Sequence, residues 1–119
     1  MTHERLAVGA YGERVAVAHL VEQGMVVLDR NWRCPAGEID IIARDGSTVV
    51  FVEVKTRRGE EFGAPEEAVG AGKVRRLRRV AAQWLATSGV RPAEVRFDVV
   101  SVLALPKGAS RIEHLKGAF

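Results

Sequence analysis

The chain has 119 residues, 47% of them hydrophobic and 28% charged, with a formal net charge of +3. That describes one domain able to build its own core, and no apolar run approaches the roughly 18 residues that a membrane span needs. A single cysteine, Cys34, excludes an internal disulfide framework and fits a reducing cytoplasm, and the opening Met1-Thr-His-Glu-Arg-Leu-Ala-Val8 lacks the apolar core of a signal peptide.

A first helix is predicted over residues 7–23, with Gly24 as its C-terminal cap. Gly9 and Gly12 weaken its first turns. Glu13 shares a stripe with Ala16, Val17, Leu20 and Val21, the face expected to pack on a sheet. A carboxylate there either lines a pocket or marks the polar edge of the helix start, where the dipole favours acids. Residues 25–32 read as a first strand, and 33–37 turn into a second over 38–44. A third follows over 48–57. The runs Ile39-x-Ile-Ile42 and Val49-Val-Phe-Val52 are nearly continuous, which implies burial on both faces. Residues 58–72 hold four glycines and one proline and read as a long loop, with one helical turn at Pro65-Glu-Glu-Ala-Val69.

A second helix is expected over residues 73–87, ended by Ser88-Gly89. Val74, Leu77, Ala81, Trp84 and Leu85 form its apolar stripe. Its first half, Lys73-Val-Arg-Arg-Leu-Arg-Arg79, packs five cations into seven residues; that is either a solvated face or an anion-binding one. A fourth strand spans 95–103, a turn 106–110 and a short edge strand 111–115. The order αβββαββ predicts an α/β fold, a mixed sheet with helices on its faces. Trp32 and Trp84 read as core residues. His3, His19 and His114 are scattered and read as surface or helix-end residues.

The second and third strands carry the chemistry. Asp45-Gly46 is a two-residue hairpin signal. Centred there, the register sets Ile42 opposite Val49, Asp40 opposite Phe51 and Glu38 opposite Glu53. Asp40 and Glu53 are then diagonal neighbours on one face, and Lys55 joins them by alternation. A four-residue loop would set Asp40 directly opposite Glu53 and keep the cluster; a three-residue loop would break it. Carboxylates in apolar strands need a partner. Mg²⁺ or Mn²⁺ suits this pair, since magnesium takes one or two carboxylates and keeps several waters. The Val54 carbonyl is a further candidate ligand, and Glu13 completes the shell directly or through water. Lys55 would sit beside an attacking water. Hydrolysis of a phosphodiester follows as the leading chemistry. Arg57 and Lys73 are candidate phosphate contacts, with Arg75, Arg76 and Arg79 beyond them. Glu38 is a second metal ligand or a salt-bridge residue, and Asp98 a partner for an arginine of the second helix. Against this stands the plain alternative: a lone Glu-x-Lys on a strand is usually an exposed ion pair.

Asp40, then Glu53-x-Lys55 in an apolar strand with Glu13 on a preceding helix, resembles the PD-(D/E)XK nuclease superfamily, which includes restriction endonucleases and archaeal Holliday junction resolvases. Gly9-x-x-Gly12-Glu13, Asn31-Trp-Arg33, Gly37-Glu-Ile-Asp-Ile-Ile-Ala43, Phe51-Val-Glu-Val-Lys-Thr-Arg57, Arg96-Phe-Asp-Val99 and Ala118-Phe119 look like the YraN-like family of uncharacterised bacterial proteins, over nearly the whole chain. The resemblance implies a restriction-endonuclease-like fold and a nucleic-acid-binding nuclease role. One departure is Ile39, where the superfamily loosely keeps proline; the metal needs the carboxylate rather than the ring.

The expectation is therefore a single-domain Mg²⁺- or Mn²⁺-dependent endonuclease of the cytoplasm, acting on DNA more readily than RNA. Branched DNA is a candidate substrate, and a homodimer would serve a two-fold one. The rival from another class is a nucleic-acid-binding module with this fold and no catalysis.

Overall fold

The computed structural model describes residues 3–58, 70–105 and 107–119. In chain order these form α1 (His3–Glu22), β1 (Val26–Cys34), β2 (Gly37–Asp45), β3 (Thr48–Arg58), α2 (Ala71–Ser88), β4 (Glu94–Ala104) and β5 (Arg111–Leu115). The predicted αβββαββ order holds. The helical turn expected at Pro65 lies outside the described residues. Among the described residues, no helix is long and apolar enough to cross a membrane.

The helix α1 begins at His3, ahead of the predicted residue 7, and closes where Gly24 was expected to close it. Gly24 has φ 90°; its N–H reaches the Val21 carbonyl at 2.9 Å and the Met25 N–H reaches the Leu20 carbonyl at 3.0 Å. Those two bonds are a Schellman cap, and Met25 and Leu20 supply its apolar contact.

One five-stranded sheet runs in the order β1-β2-β3-β4-β5. The pair β3–β4 is parallel, and the other neighbours are antiparallel. A parallel pair needs a long crossover, and α2 lies within it. The expected burial of β2 and β3 on both faces is met. Ile41, Ala43, Val50 and Val52 pack with Ala16 and Leu20 of α1. Ile42, Val49 and Phe51 pack with Leu77, Val80, Ala81 and Trp84 of α2. Trp84 is buried and Trp32 packs half-buried against the same layer. Val21, expected on the packed stripe of α1, is instead 55% exposed. The helix contacts the sheet through a narrower line than a full stripe.

The β2–β3 hairpin corrects the predicted register. Asp45 pairs with Thr48, Arg44 with Val49 and Ile42 with Phe51, so the loop is Gly46-Ser47. Gly46 has φ 63° and Ser47 is not in the positive region. That is the II′ pattern, with glycine first, and it puts the turn one residue beyond Asp45-Gly46. The slide moves every pairing by two residues, so parity survives. Continued one step past the Ile41–Val52 pair, it sets Asp40 opposite Glu53.

Where α1 crosses β3, the helix backbone rests directly on the Thr56 side chain. A Cβ placed on Gly12 would lie 1.9 Å from Oγ1 and 2.7 Å from Cγ2 of Thr56. Gly12 is helix-weakening in isolation, but only a residue without a side chain permits this approach. It brings the first turns of α1 down onto the end of β3, next to Asp40.

Candidate active site

The ladder between β2 and β3 ends at Ile41 and Val52. Just past it, the side chain of Asp40 takes over from the backbone: its Oδ2 accepts the Val54 N–H at 2.8 Å. A backbone donor must be satisfied somewhere, and here a carboxylate does it. Burial pushes the Asp40 carboxyl up first, and the charge of Glu53 adds to it. Glu13 and Glu38 push the same way, the Val54 bond opposes them, and the outcome is about 7. Asp40 thus stands among three other acids with its carboxyl held well above the usual carboxylate range.

Two cavities meet at this residue. One, of about 250 Å³ on the α2 side, is lined by Asp40, Glu38, Glu53, Lys73, Arg76 and Leu77, among others. The second, of about 320 Å³ on the α1 side, is lined by Asp40, Glu38, Glu13, Asn31, Val54 and Lys55, among others. Simple alternation puts Asp40, Glu53 and Lys55 on one face. In the structure Glu53 lines the α2-side cavity and Lys55 the α1-side one, with Asp40 and Glu38 common to both. The β2–β3 ladder has stopped before these residues, while β3 itself continues paired with β4 through Arg58.

Each predicted site residue has a definite place. Glu13 is half-buried on α1, with Oε1 accepting the Asn31 Nδ2–H at 2.7 Å and Arg30 Nε 3.6 Å away. Glu53 is half-buried and paired with Lys73 Nζ at 2.8 Å. Lys55 is exposed at the rim of the α1-side cavity. Glu38 pairs with Arg33 on β1. Lys73, expected as a phosphate contact, is thus in the first turn of α2 with its charge on Glu53, and Arg76 lines the same cavity. Arg75, Arg76 and Arg79 are exposed on α2, and Arg57 is half-buried toward the end of β3. Among the described residues, no three His, Cys, Asp or Glu side chains gather as a ready metal centre. The acids instead stand on either side of Asp40, drawn outward by Lys73 and by Asn31.

Sequence reasoning misplaced Asp98 and His114, whereas His19 does stand in the last turn of α1. Asp98 is fully buried and bonds Arg96, not an arginine of α2: Arg96 donates Nε to Oδ1 at 2.8 Å and Nη2 to Oδ2 at 3.0 Å. His114 Nε2 lies 2.7 Å from Oδ2, the Gly117 N–H donates to Oδ1 at 3.0 Å, and Arg96 continues to Asp45. Burial works to raise the Asp98 carboxyl, but the bonds from His114, Arg96 and Gly117 outweigh it and hold it below the usual range. His114 Nδ1 lies 3.0 Å from Nε2 of His19 on α1. The histidines read as scattered are therefore a bonded pair tying α1 to β5. Only the Arg96-x-Asp98 spacing, two residues apart on one strand face, signalled any of this. The network is structural and lies outside both cavities.

The family model described as "Uncharacterised protein family UPF0102" matches residues 12–102. A UPF0102 protein of Beutenbergia cavernae is 59% identical over 111 residues, covering 93% of this chain and 94% of its own. A UPF0102 protein of Rhodococcus jostii is 50% identical over 119 residues, covering 100% of both. Among solved structures, the Holliday junction resolvase Hjc of Archaeoglobus fulgidus aligns with a TM-score of 0.45 and 21% identity, covering 87% of this chain and 74% of that one.

Proposed function

We propose that this chain, which belongs to the uncharacterised protein family UPF0102, is a divalent-metal-dependent endonuclease that hydrolyses phosphodiester bonds in DNA. The observation that carries the reading is the position of Asp40. It is a half-buried carboxylate at the end of a ladder, flanked by Glu53 and Glu13 and near Lys55, with its carboxyl pushed up to about 7. A structural acid has no use for three like-charged neighbours, whereas crowded carboxylates with perturbed protonation mark functional sites.

The donor set fits Mg²⁺ or Mn²⁺. Asp40 and Glu53 would hold the ion, with the Val54 carbonyl and Glu13 as further ligands directly or through water. Bound there, the ion supplies Lewis acidity at the phosphate and lowers the pKa of its water. The chain's own residues do the rest. Lys55 offsets charge on the phosphate and orients the water from the rim of its cavity. The Val54 N–H holds one oxygen of Asp40 in place and leaves the other available. Lys73 exchanges Glu53 for a phosphate oxygen as the substrate arrives, and Arg76 binds the next phosphate along the same cavity. Arg75 and Arg79 on α2, with Arg57 on β3, extend the grip. The positive end of the α2 dipole lies in the same half of the helix as these cations, which makes it an unfavourable place for them unless an anion joins them.

A test is cleavage of labelled DNA with Mn²⁺ by the wild type, Asp40→Ala and Lys55→Ala. Loss of cleavage in both folded variants supports the assignment, and undiminished activity in Asp40→Ala refutes it. The ion pair between Glu53 and Lys73, together with the lack of a three-ligand cluster among the described residues, favours a second reading, a nucleic-acid-binding module without turnover. That reading predicts salt-sensitive DNA binding and no metal-dependent cleavage of any substrate.

A further inference from the structure

Asn31 is the one non-glycine among the described residues with positive φ, at 51°. It lies inside β1, where an extended strand has no use for a left-handed residue. That conformation is unfavourable for any side chain with a Cβ, and least so for asparagine. The ladder pairs Arg30 with Ile41 and Trp32 with Ile39, so Asn31 falls level with Asp40.

The kink has a consequence at Glu13. Arg30 and Asn31 are consecutive, and in a regular strand their side chains would point to opposite faces. Here both reach the same oxygen: Asn31 donates Nδ2–H to Glu13 Oε1 at 2.7 Å, and Arg30 Nε lies 3.6 Å from it. No hydrogen bond or ion pair to Oε2 occurs among the described residues. Asn31, Glu13, Asp40 and Lys55 line one cavity. An amide is a donor that fixes a carboxylate without cancelling its charge.

We propose that Asn31 is a positioning residue for the metal site, resting on the nuclease reading above. Its left-handed backbone aims the amide at Glu13, fixes the Glu13 rotamer and keeps Oε2 for the metal's shell. Outer partners of this kind tune metal affinity rather than bind the ion themselves.

The test is Mn²⁺ binding by titration calorimetry, with melting temperature, for the wild type, Asp40→Ala, Asn31→Gly and Asn31→Asp. Glycine keeps the left-handed backbone and removes only the amide. Asn31→Gly should melt at or above the wild-type temperature and bind Mn²⁺ about tenfold more weakly. Asn31→Asp, which sets a second negative charge against Glu13, should weaken binding as well. Wild-type affinity in both Asn31 variants, with binding lost in Asp40→Ala, would overturn the role of Asn31 and leave the nuclease reading standing. Absent binding in the wild type, or unchanged binding in Asp40→Ala, would overturn both. If Asn31→Gly does not fold, Asn31→Asp decides alone.

Discussion

At the scale of the residue, Asp40 works against the stability of the fold that holds it. Its carboxyl titrates near 7 in the folded chain against 3.8 ordinarily. Between those values the folded chain keeps a proton that the unfolded chain has released, so stability falls as pH rises through the window. Asp40→Asn keeps an oxygen for the Val54 N–H and carries no charge. We expect it to be more stable than the wild type by roughly 1–3 kcal/mol at pH 8, with the difference vanishing below about pH 4. Urea melts across that range check this; equal stability at pH 8 would mean Asp40 is comfortably ionised. Asp40 and Glu53 stood out in the sequence as carboxylates in apolar strands, Lys55 by its Glu-x-Lys spacing and Glu13 as a carboxylate on the apolar stripe of a helix. Asn31 was not, since a left-handed backbone leaves no trace in one sequence beyond a residue type that tolerates it.

At the scale of the element, two contacts govern how α1 is seated. The first is the Gly12–Thr56 approach. Gly12→Ala improves helix propensity by about 1 kcal/mol, yet it forces α1 away from β3, and overpacking of this kind costs about 1–3 kcal/mol. The net effect should be destabilising, and Thr56→Ala beside it, which removes the clashing Oγ1 and Cγ2, should recover part of the loss; a Gly12→Ala variant that gains stability would show that the helix can shift freely. The second contact is the His19–His114–Asp98 chain. Burial, and then the charge of His114, lower the pKa of His19 from 6.5. The unfolded chain therefore binds the proton first, and stability declines as pH falls below about 6.5. The decline should be smaller in His19→Gln, and an identical pH profile would remove His19 as its source. Element order, the caps at Gly24 and Gly89 and both apolar layers were readable from periodicity and turn residues. The hairpin register was readable only in parity, because Asp45-Gly46 and Gly46-Ser47 compete as the turn. The histidine chain was hidden, because it joins residues 95 positions apart.

At the scale of the whole molecule, the net charge of +3 is modest, but its distribution is not. Arg75, Arg76, Arg78 and Arg79 are exposed along one helix, and Arg78 stands over the Phe97 ring at 5.2 Å, which leaves the other three to meet a ligand. Replacing Arg75, Arg76 and Arg79 with Gln should leave the melting temperature nearly unchanged. It should weaken DNA binding at low salt and reduce the salt slope by about 0.9 for each phosphate no longer neutralised. An unaltered slope would move the DNA path off α2. The most direct test of the central claim is cleavage of single-stranded, duplex, flap and four-way-junction DNA with Mg²⁺ or Mn²⁺, with RNA alongside. Wild type, Asp40→Ala and Lys55→Ala are run side by side. The account predicts metal-dependent cleavage of at least one DNA by the wild type and none by either variant. Cleavage that survives in both variants, or wild-type protein that binds DNA and cuts nothing, would contradict it.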